Sequence, residues 1–153
     1  MTFFEQLAQN KILIVTFIAW AVSCVLKGCI YAVSNGHFKL NRFFGSGGMP
    51  SSHSATVVSL AAAVGIAEGL NTAVFAICFV LALVVMYDAS GVRRAAGQHA
   101  KFINMIMAVI VEQDMEKKQT RLKEILGHTP LEVCAGAVLG GIIAIAAHMM
   151  NFL

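Results

Sequence analysis

Four long apolar segments constrain the fold of this chain more than any other feature of its sequence. They cover residues 12–33, 55–66, 73–87 and 133–150, and a weaker apolar segment at 102–111 contains Asn104. Apolar residues make up 58% of the chain and charged residues 12%, against about 25% charged residues in typical soluble proteins. The segments lack the turn-bounded alternation of strands. The sequence therefore predicts an all-α integral membrane bundle of about four to five membrane-embedded helices. Residues 1–153 are expected to form one domain.

Residues 112–126, EQDMEKKQTRLKEIL, differ from the apolar segments because they are highly charged. Met115, Leu122 and Leu126 recur at helical spacing among the charges. This pattern predicts one amphipathic helix outside the hydrocarbon, on the cytoplasmic side, with the charges on a solvated face.

The distribution of basic residues predicts the orientation in the membrane. If the second and third apolar segments form a hairpin, the loops at 34–53 and 91–130 lie on one side. These loops contain nine of the eleven Lys and Arg residues. By the positive-inside rule this side is cytoplasmic. We therefore expect an integral protein of the cell (inner) membrane, with its polar loops and its site facing the cytoplasm.

The remaining composition excludes several classes of protein. The four cysteines form no C-x-x-C pair, and no cluster has the spacing of metal ligands. The basic residues do not form a stripe with interleaved aromatic residues, so no nucleic-acid partner is expected. No cofactor motif occurs. Because the chain has so few spans, a homodimer remains one of the expected oligomeric states.

The stretch 47–55, GGMPSSHSA, lies directly before the second apolar segment. Its serines are suited to cap the following helix, and Pro50 fits the first turn. Glycines let the backbone approach a ligand, and a helix N-terminus binds anions. The stretch is either an ordinary helix start with an incidental His53 or a phosphate site with His53 beside the anion. The candidate phosphate ligands here are Gly48, Ser51 and Ser52.

The stretch 88–99, DASGVRRAAGQH, follows the third apolar segment. Arg93 and Arg94 offer rigid forks of donors suited to phosphate, with Ser90 nearby. A carboxylate at the end of a membrane helix is costly unless it is paired, so Asp88 is predicted to pair with Arg93. The alternative is that the arginines only anchor the helix at the membrane surface.

The motif GHTPLE begins at Gly127, which is expected to end the amphipathic helix. Thr129 is predicted to cap the next helix, with Pro130 at its first position and Glu132 closing a capping box. His128 has no role in this cap and is expected to be exposed between two helices.

Lys27 interrupts the first apolar segment. Its ammonium group either extends to the membrane interface or faces inward to meet a bound anion.

Two histidines, two arginines and a lysine on one membrane face suit phosphoryl transfer without a metal. Cations would hold the phosphate and its developing charge. One neutral histidine would attack phosphorus while another protonates the leaving oxygen.

The motifs GGMPSSHSA, DASGVRRAAGQ and LGHTPLEV together resemble the divergent type-2 phosphatidic acid phosphatase family, over residues 27–141. This family is related to acid phosphatases and vanadium-dependent haloperoxidases. The wider superfamily combines a lysine and a downstream arginine, a P-S-G-H motif, and an S-R-x5-H-x3-D motif. The resemblance implies that Ser51 and nearby amides bind phosphate and that His53 is the general acid. Residue 52 is serine where the motif has glycine.

Two other motifs match less completely. Lys27 corresponds to the first-motif lysine, but its arginine-proline partner is missing and Arg42 lies nearby. In the third motif Arg93 and His99 have the R-x5-H spacing without the following aspartate. His128 and Glu132 instead have the H-x3-acid spacing. Either histidine is a candidate nucleophile, and we favour His128, oriented by Glu132.

These observations predict a membrane phosphatase that hydrolyses a lipid phosphate or diphosphate through a phosphohistidine, with isoprenoid phosphates among the candidate substrates. The alternative is a catalytically degenerate member that binds anionic lipid headgroups without turnover. A transporter is disfavoured because the polar residues cluster at one face rather than at the midplane.

Overall fold

The computed structural model describes residues 2–37, 43, 47–111, 122 and 127–153. Helices account for 82% of these residues, and none of them is in a strand. The helices are α1 (Phe3–Gln9), α2 (Lys11–Asn35), α3 (Ser52–Glu68), α4 (Ala73–Ser90), α5 (Val92–Val111) and α6 (Pro130–Met149). The all-α prediction is confirmed. The four main apolar segments lie within α2, α3, α4 and α6, except that Met150 directly follows α6. The predicted amphipathic helix at 112–126 falls almost entirely outside the described residues.

Polar side chains fix where these helices begin. The carboxamide of Asn10 accepts a hydrogen bond from the backbone of Leu13 at the start of α2. Thr72 does the same at the start of α4. Each group satisfies a backbone N–H that the helix leaves unpaired. The helix ends are therefore set by local chemistry that the sequence contains.

Helix α3 occupies the centre of the bundle and packs against α2, α4 and α6. Its buried face is made of small residues such as Ala55, Ser59 and Ala63. On α6, a Cβ atom at Gly136 would overlap the Ser51 carbonyl, and a Cβ atom at Gly140 would overlap the Ala55 carbonyl. Small residues thus let the two backbones approach closely.

Large apolar side chains point outward from the bundle. Ile77 is 67% exposed, Val84 59% and Ile142 57%. A soluble protein would bury such residues, whereas a bilayer solvates them. Three helical stretches are long and apolar enough to cross a membrane: Lys11–Asn35, Ala73–Ala108 and Pro130–Met149. The chain is therefore an integral membrane protein. Helix α3, with 17 residues, is the shortest of the four helices that contain the main apolar segments, and it packs among the other three.

The polar motifs come together at one end of this bundle. The backbone N–H of Ser51 donates to the carbonyl of Glu132 (3.0 Å), and that of His128 donates to Ala89 (2.8 Å). The start of α3, the end of α4 and the start of α6 are thereby joined. Lys27 on α2 reaches the same place through its side chain.

Candidate active site

Ser51 begins the site because it caps α3. Its hydroxyl accepts hydrogen bonds from the backbone N–H of Ser54 (3.3 Å) and from the Ser54 hydroxyl (3.0 Å), and both side chains are fully buried. Pro50 precedes this cap rather than occupying the first turn, because the helix starts at Ser52. Ser54 was not predicted as a site residue. Its position three residues after the capping serine was the signal that could have identified it.

Two left-handed glycines lead into this helix. Gly47 has φ of 90° and Gly48 has φ of 94°, a region that residues with a Cβ atom rarely adopt. Gly48 packs against the aliphatic part of Lys27. The loop at 47–50 therefore packs on the side chain of Lys27, which is itself buried.

Lys27 faces the interior of the bundle. Its side chain is buried at 4% exposure, and its Nζ atom donates a hydrogen bond to the Ser52 hydroxyl at 3.4 Å. The inward-facing interpretation of Lys27 is thus the one that the structure shows. A lysine that extended to the membrane interface would instead be exposed. The serine that replaces the glycine of the superfamily motif is the residue that contacts this lysine.

His128 is positioned by the loop that precedes α6. Gly127 has φ of 83°, and a Cβ atom there would overlap the backbone nitrogen of Arg94 at the start of α5. This close approach, with the hydrogen bond to Ala89, directs the His128 side chain into the bundle. His128 is only 3% exposed, so the expectation that it would be exposed between two helices is wrong. The docking of its loop on α4 and α5 buries it.

Glu132 holds the His128 ring and caps α6 at the same time. Its Oε2 atom accepts one hydrogen bond from His128 Nδ1 (3.1 Å) and another from the Thr129 backbone N–H (3.0 Å). The Thr129 hydroxyl accepts the Glu132 N–H in return (3.3 Å), which confirms the predicted capping box with Pro130 in the first turn. Because the carboxylate can only accept, Nδ1 carries the proton and Nε2 carries the lone pair.

The Nε2 atom of His128 is buried and has no hydrogen-bond partner among the described residues. Burial lowers the pKa of the His128 imidazole from its usual 6.5, and the hydrogen bond and charge of Glu132, together with the backbone of Gly48, oppose this shift only in part. Nearby Lys27 lowers the pKa further. The ring is therefore neutral at pH 7, and with the proton on Nδ1 its lone pair lies on Nε2.

The imidazole ring of His53 lies directly beside that of His128. The centroids of the His53 and His128 rings are 6.2 Å apart, with the planes inclined at 66°. The charges of Arg93, Lys27 and Asp88 all act on His53. The first turn of α3 and the loop before α6 thus supply two imidazoles, and α2 and the start of α5 add two cations to the same cluster.

The predicted pair of Asp88 and Arg93 is present. Arg93 Nε donates to Asp88 Oδ2 at 2.6 Å, and the two side chains are 52% and 37% exposed. Arg94 is exposed beside it. The hydroxyl of Ser90 donates to the Met86 carbonyl of its own helix (2.9 Å), so in this conformation it supports α4 rather than the cluster.

The alternative nucleophile is placed differently. His99 is exposed on α5, and no ring contact joins it to His53 in the described part of the chain. Arg42, which was expected near Lys27, lies outside the described residues. Of the two candidate nucleophiles, the fold therefore brings His128 to His53.

Within the described ranges, no three His, Cys, Asp or Glu side chains come together in a way that could hold a metal ion. The cluster is composed of cations, hydroxyls and imidazoles around helix N-termini. Such groups attract a phosphate.

These features define a small helical membrane protein with a polar, histidine-containing site at one end of its bundle. A family model described as the divergent PAP2 family matches residues 8–143. The chain therefore belongs to the divergent PAP2 family.

One relative is a membrane protein of Bacillus subtilis (strain 168), named uncharacterized membrane protein YuiD. The two are 43% identical over 105 residues, which cover 62% of this chain and 66% of the relative. No solved structure matches the chain.

Proposed function

We propose that this protein is a membrane phosphatase that hydrolyses a lipid phosphate or diphosphate through a phosphohistidine. One observation carries the proposal: the buried Nε2 of His128 keeps its lone pair beside His53, while Glu132 holds the opposite nitrogen. A carboxylate that fixes the tautomer of a histidine prepares its other nitrogen to act as a base or nucleophile.

In the first step the lone pair of His128 Nε2 attacks phosphorus. A bond forms between nitrogen and phosphorus while the bond from phosphorus to the lipid oxygen breaks. The leaving oxygen takes a proton from the His53 imidazolium, whose positive charge the arriving phosphate stabilises. The two rings, 6.2 Å apart, are close enough to contact one phosphoryl group from adjacent sides.

In the second step water attacks the phosphohistidine. Neutral His53 accepts a proton from the water as the water oxygen bonds to phosphorus. The nitrogen–phosphorus bond breaks, its electron pair returns to His128 Nε2, and inorganic phosphate leaves. His128 returns to its neutral form and His53 to its protonated form. No step of this sequence is routed through a metal ion.

Cations and backbone amides stabilise the charge that develops on the phosphoryl oxygens. Lys27 reaches the start of α3 through Ser52, and Arg93 acts on His53 from the start of α5. The N–H groups at the start of α3 add the partial positive charge of a helix terminus. Their preorganised positions mean that little rearrangement is needed during the reaction.

The test is phosphate release by the purified full-length protein in detergent, with a chelator present. Phosphatidic acid, a prenyl monophosphate and a prenyl diphosphate serve as substrates. We expect His128→Ala to abolish release and His53→Ala to slow it by about 100-fold or more, the usual contribution of a general acid. A phosphorylated, acid-labile species should accumulate in His53→Ala and be absent from His128→Ala.

His148→Asn is the matched control because His148 is exposed at the opposite end of α6. It should release phosphate at the wild-type rate. Release that survives His128→Ala but is lost in His99→Ala would replace the proposed nucleophile with the exposed histidine of α5. Release unchanged in every histidine variant would refute the mechanism.

A second candidate is a member of the family that binds anionic lipid headgroups without turnover. It is favoured by the 2.6 Å ion pair of Arg93, which already commits this guanidinium to Asp88. In that case the protein would bind vesicles containing phosphatidic acid, binding would survive His128→Ala, and no substrate in the panel would release phosphate.

We also propose that the site faces the cytoplasm, because the loops at its end of the bundle contain most of the basic residues. The residues around Lys27 are buried, so the test labels a position away from the site. A cysteine introduced at Lys118 should be labelled by a membrane-impermeant reagent only after the cells are opened. Labelling in intact cells would reverse the orientation.

A further inference from the structure

An open cleft of about 190 Å³ lies between α2 and the loop at 47–49. Every residue that lines it belongs to the described parts of the chain. The loop forms one wall with Gly47, Gly48 and Met49. The other wall consists of residues from the last turns of α2, which are Lys27, Ile30, Tyr31, Ser34 and Asn35.

The inner end of the cleft meets the candidate active site at Lys27. This side chain is buried, and its Nζ atom donates to the hydroxyl of Ser52, the residue before His53. Gly48 packs on the aliphatic part of Lys27, and its backbone also interacts with His128. Both walls of the cleft are thus in contact with the residues that surround the two imidazoles.

The outer end of the cleft reaches the membrane surface. Helix α2 has 25 residues and is about 37 Å long, which exceeds the hydrocarbon thickness of about 30 Å. Its apolar stretch ends at Val33, and the next two residues, Ser34 and Asn35, are polar and exposed. The cleft therefore runs from the buried Lys27 toward water, over about 12 Å along the helix.

The outer rim is shaped by His37, which folds back on the last turn of α2. Gly36 reverses the chain with φ of 69°. The Nδ1 atom of His37 donates to the Asn35 carbonyl at 2.8 Å, because a carbonyl can only accept. In the neutral ring Nε2 then accepts from the Tyr31 hydroxyl at 3.4 Å. These contacts give the cleft a defined outer end.

The size and the lining of the cleft suit a small polar group rather than an acyl chain. Pockets for drug-sized ligands measure about 300–1,000 Å³, whereas 190 Å³ has room for several water molecules or one phosphate ion. The ammonium of Lys27 attracts an anion at the inner end. Nearer the surface, Ser34 and Asn35 can hydrogen-bond with water or phosphate.

We propose that this cleft is the aqueous passage of the active site, through which the attacking water enters and inorganic phosphate leaves. The inference rests on the phosphatase function proposed above, whose lipid substrate would reach the site from the bilayer. The lipid product dissolves in the bilayer and inorganic phosphate dissolves in water. Separate routes let each product enter the phase that dissolves it.

Tryptophan substitutions near the outer end test the passage. Ser34→Trp and Met49→Trp place a large side chain on opposite walls of the cleft, and neither residue has a role in the proposed reaction. Val33→Trp is the matched control, because Val33 adjoins Ser34, is 87% exposed and does not line the cleft. Each variant is purified as the full-length protein in detergent.

Oxygen exchange between water and inorganic phosphate labelled with oxygen-18 measures phosphate entry without any lipid. The exchange reverses the second reaction step: His128 Nε2 attacks phosphorus, a phosphorus–oxygen bond breaks, and the departing oxygen takes a proton from the His53 imidazolium. We expect both blocking variants to lower this exchange and steady-state phosphate release several-fold. Formation of the phosphohistidine from a lipid phosphate in a single turnover should keep the wild-type rate. Val33→Trp should match the wild type in all three measurements.

Two results from the active enzyme would overturn the proposal. Slower phosphohistidine formation and a raised KM in the blocking variants, with unchanged oxygen exchange, would assign the cleft to the lipid headgroup. Blocking variants that match Val33→Trp in every measurement would show that nothing passes through the cleft. Should one blocking variant not fold, the other tests the same cleft from the opposite wall.

A wild-type protein that neither releases nor exchanges phosphate would refute the phosphatase function without deciding the role of the cleft. Binding of inorganic phosphate, followed by the line width in phosphorus NMR, then decides it. Binding that is slowed in Ser34→Trp but not in Val33→Trp would support a passage for anions. No binding to the wild type, or equal binding to the two variants, would overturn it.

Discussion

The double role of Glu132 leads to a specific prediction about the variant Glu132→Gln. In the native protein one carboxylate oxygen accepts hydrogen bonds from both His128 Nδ1 and the Thr129 backbone N–H. Glutamine has nearly the same shape, and its carbonyl oxygen can still accept from Thr129. The variant therefore keeps the helix cap but replaces the charged partner of His128 with a neutral one.

The size of the effect follows from the loss of this charge. A hydrogen bond to a charged group contributes about 1.5–3 kcal/mol, compared with about 1 kcal/mol for a neutral pair. The difference is about 0.5–2 kcal/mol. Because each 1.36 kcal/mol changes a rate about tenfold, losing the charged partner in the transition state lowers the rate by about 2- to 30-fold. A glutamine amide that donates to Nδ1 would move the proton to Nε2 and remove the nucleophilic lone pair, which lowers the rate further.

The assay is phosphate release as a function of pH, with the tautomer of His128 measured by nitrogen NMR. The hydrogen bond and charge of Glu132 raise the pKa of His128 against the larger effect of burial. Removing the charge lowers the pKa further, so the acid-side inflection of the rate should move to lower pH. A residue with a purely structural role would not move this inflection.

Thr129→Ala is the matched control because it weakens the same helix cap without touching the imidazole. Loss of a capping hydroxyl costs about 1 kcal/mol of stability. We expect Thr129→Ala to lower the thermal midpoint while keeping the wild-type rate and inflection. Equal losses of rate in the two variants, with no shift of the inflection, would refute the orienting role of Glu132.

Other predictions follow from the surroundings of this site. Gly127→Ala should lower both the thermal midpoint and phosphate release, because its Cβ atom would overlap the Arg94 backbone. Gly141→Ala should change neither, since a Cβ atom there meets open space. Equal behaviour of the two variants would contradict the close approach of Gly127 to Arg94. Because burial lowers the pKa of His128 from 6.5, the folded protein binds a proton there less readily than the unfolded chain. The stability that this residue contributes is complete above that value and is lost as the pH falls below it. Between about pH 7 and pH 5 the thermal midpoint of the wild type should therefore fall more steeply than that of His128→Asn, and parallel curves would exclude the effect. Arg93→Gln should raise KM for a lipid phosphate while changing the thermal midpoint little, because exposed ion pairs contribute about 0–1 kcal/mol, and an unchanged KM would remove Arg93 from the phosphate site.

Several local features of the fold follow directly from the sequence. The four apolar segments become helices, and the cap at Thr129 has its predicted partner in Glu132. The pairing of Asp88 with Arg93 was also predicted. Each of these depends on contacts between residues at most five positions apart, so residue type and spacing are sufficient to define them.

The site illustrates the limit of such local reasoning. Sequence spacing left both His99 and His128 as candidate nucleophiles, and it predicted that His128 would be exposed. The start of α5 was also missed, because the helix begins at Val92, within a stretch considered only for its polar residues. Nothing within a few residues of His128 indicates that Ala89 will bind its backbone.

The sequence by itself determined that this is a helical membrane protein, where most of its helices begin and which residue types are available to hold a phosphate. Only the tertiary structure decided that His128, rather than His99, faces His53 and that Lys27 turns inward to Ser52. The physical reason is that these choices depend on contacts between distant parts of the chain. The approach of α6 to α3 is permitted by glycines, and the docking of the loop before α6 on the end of α4 buries the histidine.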